Sequence, residues 1–306
     1  SEHLSTTFLF VVIAAVLLAP ALFAQQPTGQ ITGIVSDATG AVVPGAQVRV
    51  LNTATGIKWD ARSNESGNYT FSNLTPGPYQ VTVTHQGFST VTRSAIELAV
   101  SQVARIDFTL NVGSTAESVE IKATAPLLES STASVGQLIE SKAVSELPLN
   151  GRNYLQLAKL STGVLEAKPG DRNVSGGSFI ANGVRAQLNN FLLDGLDNNQ
   201  VSDNLVGYSP SVDAIEEFNM ITNNAPAEFG NFMGGIISTT IKSGTNEFHG
   251  RAFEFFRNEV LNANSWANNL TGSPKPKVRW NMFGATLGGP IKKDKLFFFV
   301  DYQGQR

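Results

Sequence analysis

Apolar side chains alternate with polar ones through the first third of the chain, once its apolar first residues are passed. Short alternating runs end at turn-forming pairs such as Pro76-Gly77, in which proline presets φ and glycine accepts a positive φ. A period of two with closely spaced turns is typical of half-buried strands in an all-β sandwich. We therefore predict a β-sandwich over residues 28–112. Its predicted core residues are Val48, Val50, Tyr79, Val81, Val83, Ile106, Phe108 and Leu110.

The periodicity changes between residues 113 and 244, where short segments of different pattern follow one another. Apolar residues spaced by three and four predict helices over residues 134–147 and 153–160. Strands are predicted over residues 179–182, 191–194, 214–222 and 234–242. Mixed short elements with many Gly and Asn residues indicate a compact α+β unit.

Three amphipathic strands are predicted at the C-terminal end, over residues 250–257, 278–288 and 296–303. A long polar connection joins the first two strands, and a short one joins the second and third. Long loops on one side and short turns on the other are typical of a transmembrane β-barrel, whose strands have about 9–11 residues. Because lipid cannot satisfy an open sheet edge, we expect a truncated barrel and a chain that is the N-terminal fragment of a larger protein. The run of residues 297–300 could also form a core strand of a soluble protein.

Charged residues in these strands predict which face avoids lipid. Asp301 is costly in lipid, so its face of the last strand should point inward. The opposite face, which would meet lipid, comprises Leu296, Phe298, Val300 and Tyr302. By the same reasoning, Glu254 predicts that Ala252, Glu254 and Phe256 face inward.

The start of the chain is an uncharged apolar run over residues 8–23, followed by Ala24 and two glutamines. The run is short for a membrane span and ends in small residues, which is typical of a secretory signal peptide. We predict a signal peptide over residues 1–24, with a retained helical anchor as the alternative.

Composition excludes several chemistries. The chain has no cysteine, so disulfides, thiolate metal sites and a catalytic cysteine are excluded. A net charge of −3 gives no electrostatic case for nucleic acid as a partner. The three histidines are isolated, and the acidic loop of Asp194, Asp197 and Asp203 lacks the glycine and glutamate positions of an EF-hand. We therefore predict that the protein is not an enzyme and has no cofactor and no metal site.

Acidic and basic residues are segregated in the second half of the chain. Residues 186–241 contain seven acidic residues and no Lys or Arg, whereas residues 242–306 contain ten basic and five acidic residues. Polar charge contacts hold two packed units together and still allow them to move apart. We expect such contacts between the central unit and the C-terminal strands, made by Glu216, Glu217 and Glu228.

Motifs in the first unit resemble a known family. Four segments match in order: residues 33–37 (GIVSD), 44–46 (PGA), 67–71 (GNYTF) and 74–79 (LTPGPY). Together they resemble the carboxypeptidase regulatory-like domain, which is a small transthyretin/Ig-like β-sandwich without catalytic residues of its own.

Motifs further along the chain resemble TonB-dependent outer-membrane receptors of the Oar-like kind. They include residues 147–154 (LPLNGRNY), 190–197 (NFLLDGLD), 242–250 (KSGTNEFHG) and 281–284 (NMFG). The resemblance implies a mainly β protein: a sandwich over residues 28–112, an α+β plug domain over 113–244, and the first three strands of a transmembrane β-barrel over 245–306. It also implies the cell outer membrane as the location, with the N-terminal domain in the periplasm.

The same resemblance implies that the protein takes up a ligand actively. The TonB energy-transducing complex would drive the uptake, and the protein would be embedded in outer-membrane lipid. The coupling segment would lie just before the plug, where Val119, Glu120 and Ile121 are the candidate residues. Alternation there suits a strand-adding peptide, but an ordinary linker strand fits equally well.

The ligand-facing plug loop would comprise Asn198, Asn199, Gln200, Asp203 and Tyr208. The ligand is an unknown small molecule or glycan; iron-chelate, peptide and carbohydrate binding all stay open. The alternative function is a secreted or surface-attached binding or adhesion protein built on the sandwich.

Overall fold

The computed structural model describes residues 28–113, 118–122, 134–167, 178–227, 229–230 and 232–306, and of residues 118–122 it describes the backbone alone. The predicted signal peptide and Glu228 lie outside these residues. The described chain is mainly β, as predicted, and contains three units that follow one another in sequence.

The first unit, here the N-terminal sandwich, consists of two sheets that enclose one core. Its strands are β1 (Gly29–Asp37), β2 (Gln47–Asn52), β3 (Lys58–Arg62), β4 (Asn68–Leu74), β5 (Gly77–Thr84), β6 (Thr90–Leu98), β7 (Val103–Arg105), β8 (Phe108–Leu110) and β9 (Ser118–Lys122). One sheet has the order β4-β1-β7, with β8 also paired to β1, and the other has the order β3-β2-β5-β6-β9. All eight core residues predicted from the alternation are at most 1% exposed, so that prediction is confirmed.

Two residues of the sandwich meet at the carbonyl group of Ile106. A Cβ added at Gly33 would lie 1.9 Å from Ile106 O, so only glycine lets β1 approach the link between β7 and β8 this closely. The Tyr69 hydroxyl donates a hydrogen bond to the same oxygen. Burial raises the pKa of Tyr69, and the phenol therefore remains a donor.

The central unit is an α+β arrangement around one five-stranded sheet of order β10-β15-β16-β13-β14, with a separate β11-β12 pair. Its strands are β10 (Val135–Glu140), β11 (Val164–Glu166), β12 (Phe179–Ala181), β13 (Asn190–Leu193), β14 (Leu196–Asp197), β15 (Ile215–Asn223) and β16 (Ile236–Ile241). The helical pieces are α1 (Ser141–Glu146) and the 3-10 turns Asn150–Arg152, Tyr154–Leu160, Ala186–Leu188 and Val212–Ala214. Tyr154 packs edge-on against Phe218, with the ring centroids 5.8 Å apart, in the centre of its core.

The helix predicted over residues 134–147 is wrong in its first half. Residues Val135 to Glu140 form β10, which pairs antiparallel with β15, and α1 begins only at Ser141. Over a run this short, the apolar pattern does not distinguish a helix from a strand. Here the pairing with β15 makes the segment a strand.

The C-terminal sheet consists of three antiparallel strands in the order β17-β18-β19. They are β17 (His249–Asn258), β18 (Arg279–Lys292) and β19 (Leu296–Gln305). The long connection between β17 and β18 contains the 3-10 turn Glu259–Leu261 and the helix α2 (Trp266–Thr271), whereas a short turn joins β18 to β19. Within the part of the chain that is described, no helix has both the length and the apolar character needed to cross a membrane.

Candidate functional site

The candidate site begins with Asp213, a carboxylate buried where the central unit meets the C-terminal sheet. Asp213 lies in the 3-10 turn between Val212 and Ala214, and all three residues are buried. Its side chain is 1% exposed. A charge in such a position requires a partner, because an unpaired buried ion is strongly unfavourable.

Two arginines supply that partner, one from each unit. Arg152 Nη2 donates to Asp213 Oδ2 within the central unit, and the Arg152 side chain is 11% exposed. Arg251 of β17 places Nη1 3.2 Å from Asp213 Oδ1 and is 51% exposed. Lys242 Nζ also donates to the backbone carbonyl of Asp213 at 3.0 Å. The carboxylate therefore links the central unit to the sheet.

Arg152 makes a second kind of contact with the sheet. Its guanidinium carbon lies 4.0 Å from the ring centroid of Phe255 and 5.2 Å from that of Phe253, within cation–π range. Burial lowers the pKa of Arg152, and the negative charge of Asp213 opposes this. An arginine stays protonated in proteins, so a full positive charge sits between the Asp213 carboxylate and two aromatic rings.

A third polar contact lies on β19, where Asp301 Oδ1 accepts a hydrogen bond from Ser211 Oγ at 2.8 Å. Asp301 thus faces the central unit, as predicted from the sequence. On the opposite side of β19, Leu296, Val300 and Tyr302 are exposed, and Phe298 is half-buried.

The predicted orientation of β17 is wrong. Arg251, Phe253 and Phe255 face the central unit, which places Ala252, Glu254 and Phe256 on the outer side. The prediction used Glu254 alone, but β17 carries charges on both faces. On the inward face, Arg251 pairs with the buried carboxylate of Asp213.

The N-terminal sandwich contacts the central unit through Glu217, which is 7% exposed. The backbone N–H of Val100, in the turn after β6, donates to Glu217 Oε1. Burial raises the pKa of Glu217 to about 8, and the neighbouring carboxylates Glu216 and Glu140 add to this. Glu217 was expected to meet the C-terminal strands, and its hydrogen bond goes to the sandwich instead.

The sandwich also touches the C-terminal sheet at the short β18–β19 turn. Asn246 N donates to Ala54 O at 3.0 Å, and Asn246 Nδ2 donates to Asp294 Oδ1 at 2.8 Å. Asp294 N returns a hydrogen bond to Asn246 Oδ1 at 2.9 Å. The sandwich therefore lies on the short-turn side of the sheet.

The predicted ligand-facing loop is closed by its own asparagines. Asn198 Nδ2 donates to Tyr208 O, and Tyr208 N donates to Asn198 Oδ1, both at 2.8 Å. Asn199 Nδ2 donates to Asn190 Oδ1 at 2.6 Å. The Gln200 backbone bonds to Leu205 and Asn204, and Asp203 Oδ1 accepts a hydrogen bond from the neighbouring Ser202 Oγ. The amides of Asn198 and Asn199 are thus occupied within the protein, while the Tyr208 side chain is 60% exposed.

The predicted coupling residues Val119, Glu120 and Ile121 lie in β9, at the end of the second sandwich sheet. β9 pairs with β6 in parallel, from Thr90 opposite Ser118 to Ser94 opposite Lys122.

Sequence reasoning missed the pairing of Arg152 with Asp213. One signal was present: Asp213 stands in an apolar stretch beside Val212, Ala214 and Ile215, and a charge there predicts a buried ion pair. Its partner is 61 residues away, a distance at which no local pattern identifies it. Among the described residues, no group of three or more potential metal ligands occurs.

Comparison with known proteins gives matches to the N-terminal sandwich and to the C-terminal sheet. Residues 30–111 match the carboxypeptidase regulatory-like domain, and residues 240–306 match an outer membrane beta barrel domain. The TonB-dependent transporter Oar of Myxococcus xanthus is 30% identical over 95% of the chain. The chain is related to TonB-dependent transporters. The resemblance predicted from its motifs is therefore confirmed, and the match to a barrel domain supports the outer membrane as its location.

The chain spans 28% of the length of the Oar transporter. Among solved structures, the siderophore receptor PirA from Acinetobacter baumannii overlaps 55% of this chain and 24% of its own, at 19% identity and a TM-score of 0.39. Hydroxyquinol 1,2-dioxygenase from Pseudomonas putida DLL-E4 overlaps 30% of this chain and 58% of its own, at 11% identity and a TM-score of 0.24. Scores this low assign no function. The Oar relative is a transporter by name.

Proposed function

We propose that the chain forms the sandwich, the plug and the first three barrel strands of a TonB-dependent outer-membrane transporter that takes a ligand into the periplasm. In this proposal the sandwich is residues 28–112, the plug is 113–244 and the first barrel strands are 245–306. The supporting observation is that the C-terminal sheet is two-sided. Its inner face binds the central unit through Arg251 and Asp301.

The outer face of the sheet suits hydrocarbon. Its exposed residues are largely apolar and include Phe256, Leu287, Leu296, Val300 and Tyr302. Glu254 is the exception on β17; an acidic residue on a lipid face costs less than a basic one, and the cost falls near the interface. A soluble protein rarely exposes a continuous apolar face of this kind.

A labelling experiment on the full-length protein in outer membranes tests this orientation. The 306 residues contain no cysteine. In a full-length background that is also free of cysteine elsewhere, Val300→Cys on the outer face and Thr286→Cys on the inner face introduce single reactive groups. We expect a lipid-soluble maleimide to label Val300→Cys and a water-soluble one to leave it unlabelled. Thr286→Cys, which is 7% exposed, should react with neither reagent until urea is added. Labelling of Val300→Cys by the water-soluble reagent would favour the adhesion alternative.

The turns support a periplasmic position for the sandwich. Outer-membrane barrels have short periplasmic turns and longer extracellular loops. The sandwich contacts the short β18–β19 turn through Ala54 and Asn246, which supports a periplasmic location. A protease added to intact cells should therefore cleave the long β17–β18 connection and spare the sandwich.

Ligand recognition is proposed for the loop closed by Asn198. Tyr208 offers an exposed aromatic ring of the kind that stacks on sugars and other planar ligands, while its backbone holds the loop together. Uptake of labelled iron chelates, oligosaccharides and peptides by cells with the full-length protein would identify the ligand. Uptake should require TonB and should fall when Tyr208 is changed to Ala. Uptake that is independent of TonB would contradict the proposal.

A further inference from the structure

The contact between the sandwich and the central unit, named the plug contact below, is loosely packed. It consists of the turn after β6, with Val100 and Ser101, set against Leu138 and Glu217. A cavity of about 50 Å³ lies between the turn and the central sheet, and Leu138 is 38% exposed. A void removes dispersion contacts from the atoms that line it. The hydrogen bond from Val100 to Glu217 therefore receives little support from packing.

Carboxylates face each other across the plug contact. Glu97 belongs to β6 of the sandwich, Glu140 to β10 and Glu216 to β15 of the central unit. Partial desolvation raises the pKa of Glu97, and the two carboxylates of the central unit raise it further. Lys242 and His249 act on Glu216 in the opposite sense, but no ion pair among the described residues includes any of the three glutamates. Like charges that oppose each other across a contact weaken it.

The contact between the sandwich and the C-terminal sheet, named the rim contact below, is closely fitted. Asn246 N donates to Ala54 O at 3.0 Å. A Cβ added at Gly56 would lie 2.2 Å from Asp294 Oδ1, so the turn after β2 lies directly against the β18–β19 turn. Asn246 and Asp294 exchange two hydrogen bonds, at 2.8 and 2.9 Å. The rim contact thus joins backbone and a glycine to a carboxylate that is already hydrogen-bonded.

The chain between the sandwich and the central unit is long enough for the two to separate. Residues 123–134 join β9 to β10, and a segment of this length spans up to about 40 Å when it is extended. A smaller displacement of the central unit does not require the sandwich to follow.

We propose that the sandwich stays on the barrel rim when the plug moves: the plug contact opens, and the rim contact remains closed. The sandwich is then a fixed part of the periplasmic end of the barrel, although it precedes the plug in the sequence. The proposal rests on the proposed function, because it takes the central unit as a plug that moves inside a barrel.

Two pairs of cysteines report separately on the two contacts, in a full-length background that is free of other cysteines. Ser101→Cys with Leu138→Cys reports on the plug contact, since both residues line the same cavity. Ala54→Cys with Asn246→Cys reports on the rim contact and keeps the backbone hydrogen bond between these two residues.

The measurement is the yield of crosslinked protein after a brief pulse of a short bis-maleimide, at rising urea concentrations. The protein is purified in detergent at about pH 8, where ordinary carboxyl groups are ionised. We expect the plug-contact pair to lose its crosslink at a lower urea concentration than the rim-contact pair. The control pair Arg49→Cys with Asp60→Cys joins β2 to β3 inside the sandwich and should lose its crosslink last. Loss at the rim contact first, or loss at both contacts in one step, would overturn the proposal.

Glu97→Gln tests the effect of the opposed charges. The change keeps the shape and removes the negative charge that acts on Glu140 and Glu216, so the plug-contact pair should keep its crosslink to a higher urea concentration. The rim-contact pair should not change. The matched control is Glu65→Gln, in the exposed turn between β3 and β4, which should change neither contact. An equal effect of both variants on the plug contact would contradict the proposal.

Failure of this proposal and failure of the proposed function give different results. Without urea both pairs must crosslink, because otherwise the sandwich does not dock as described and the proposal fails. Labelling of Val300→Cys by the water-soluble maleimide would contradict the proposed function itself. Protection of Val300→Cys together with a rim contact that opens first would leave the proposed function intact and overturn this proposal alone.

Discussion

The ion pair between Arg152 and Asp213 lies within the central unit and should dominate the stability of the site at which that unit meets the C-terminal sheet. Both side chains are nearly buried, at 11% and 1% exposed. Removal of one partner of a buried pair leaves the other charge without compensation and costs about 3–5 kcal/mol. We therefore expect Asp213→Asn, which keeps the shape and removes the charge, to lower the free energy of unfolding by about 3 kcal/mol or more.

Arg251 provides the matched comparison on the same carboxylate. It is 51% exposed, and an ion pair screened by water to that extent contributes about 1 kcal/mol or less. Arg251→Gln should therefore destabilise the contact far less than Asp213→Asn, although both variants break an ion pair with Asp213.

A double variant makes the test decisive. Arg152→Met together with Asp213→Asn removes both buried charges, and replacing a buried pair by neutral groups is often close to neutral in stability. The double variant should thus be more stable than Asp213→Asn alone. Part of the gain is offset by the lost cation–π contacts with Phe253 and Phe255, each about 0.5–2 kcal/mol.

The fluorescence of Trp280 reports on this contact directly. A Cβ added at Gly151 would lie 2.8 Å from Trp280 Cη2, so the indole of β18 covers the turn that contains Arg152. These 306 residues contain three tryptophans. Trp59→Phe with Trp266→Phe, in a full-length background whose remaining tryptophans are changed to Phe, leaves Trp280 as the single reporter. Urea titration of the full-length protein in detergent then gives the free energies. A cost for Asp213→Asn no greater than that for Arg251→Gln, or a double variant less stable than Asp213→Asn alone, would refute the reasoning.

Three further predictions concern the sandwich and its contact with the central unit. Gly33→Ala should destabilise the sandwich by about 3 kcal/mol or more, because the added Cβ meets a backbone oxygen; hydrogen exchange of the β1 amides measures this, and unchanged protection would contradict it. Tyr69→Phe should cost about 1–3 kcal/mol in the same assay, since Ile106 O loses a buried donor. Burial raises the pKa of Glu217 from 4.5 to about 8, although the hydrogen bond from Val100 N–H opposes this, so the folded state favours the protonated carboxyl. Its contribution is full below about pH 4.5 and is lost as the pH rises through about 8. Opening at the Val100 amide, from hydrogen exchange corrected for intrinsic rates, should become easier between pH 5 and 8 in the wild type and change little in Glu217→Gln.

Alternation along the sandwich strands was sufficient to predict their core, because one face of each strand is buried and the period of two is therefore strict. The short elements of the central unit were harder to predict. Over residues 135–140 the apolar spacing fits a helix, and only the pairing with β15 makes this segment a strand. Local preference yields to tertiary context in such segments.

Among the site residues too, some could be placed from the local sequence and others depend on a partner from elsewhere in the fold. Asp301 could be oriented from sequence because it is the one charged residue within its strand. β17 contains Arg251, Glu254 and Arg257, so its inward face depends on a partner from another unit. Arg152 lies in a motif that the sequence made visible, but its role depends on Asp213, whose position beside it is set by the fold.

The way in which the three units are joined bears on how they could move. The two apolar cores are separate: one contains residues between Ile31 and Leu110, and the other contains residues between Ile139 and Ile237. The contacts between units are largely polar, as in the Glu217–Val100 hydrogen bond and the Asp213–Arg251 ion pair. A polar contact can be exchanged for hydration at a modest net cost, whereas opening a shared apolar core costs about 25 cal/mol for each Å² exposed. The units can therefore separate while each keeps its own core, which is the property that the proposed plug requires.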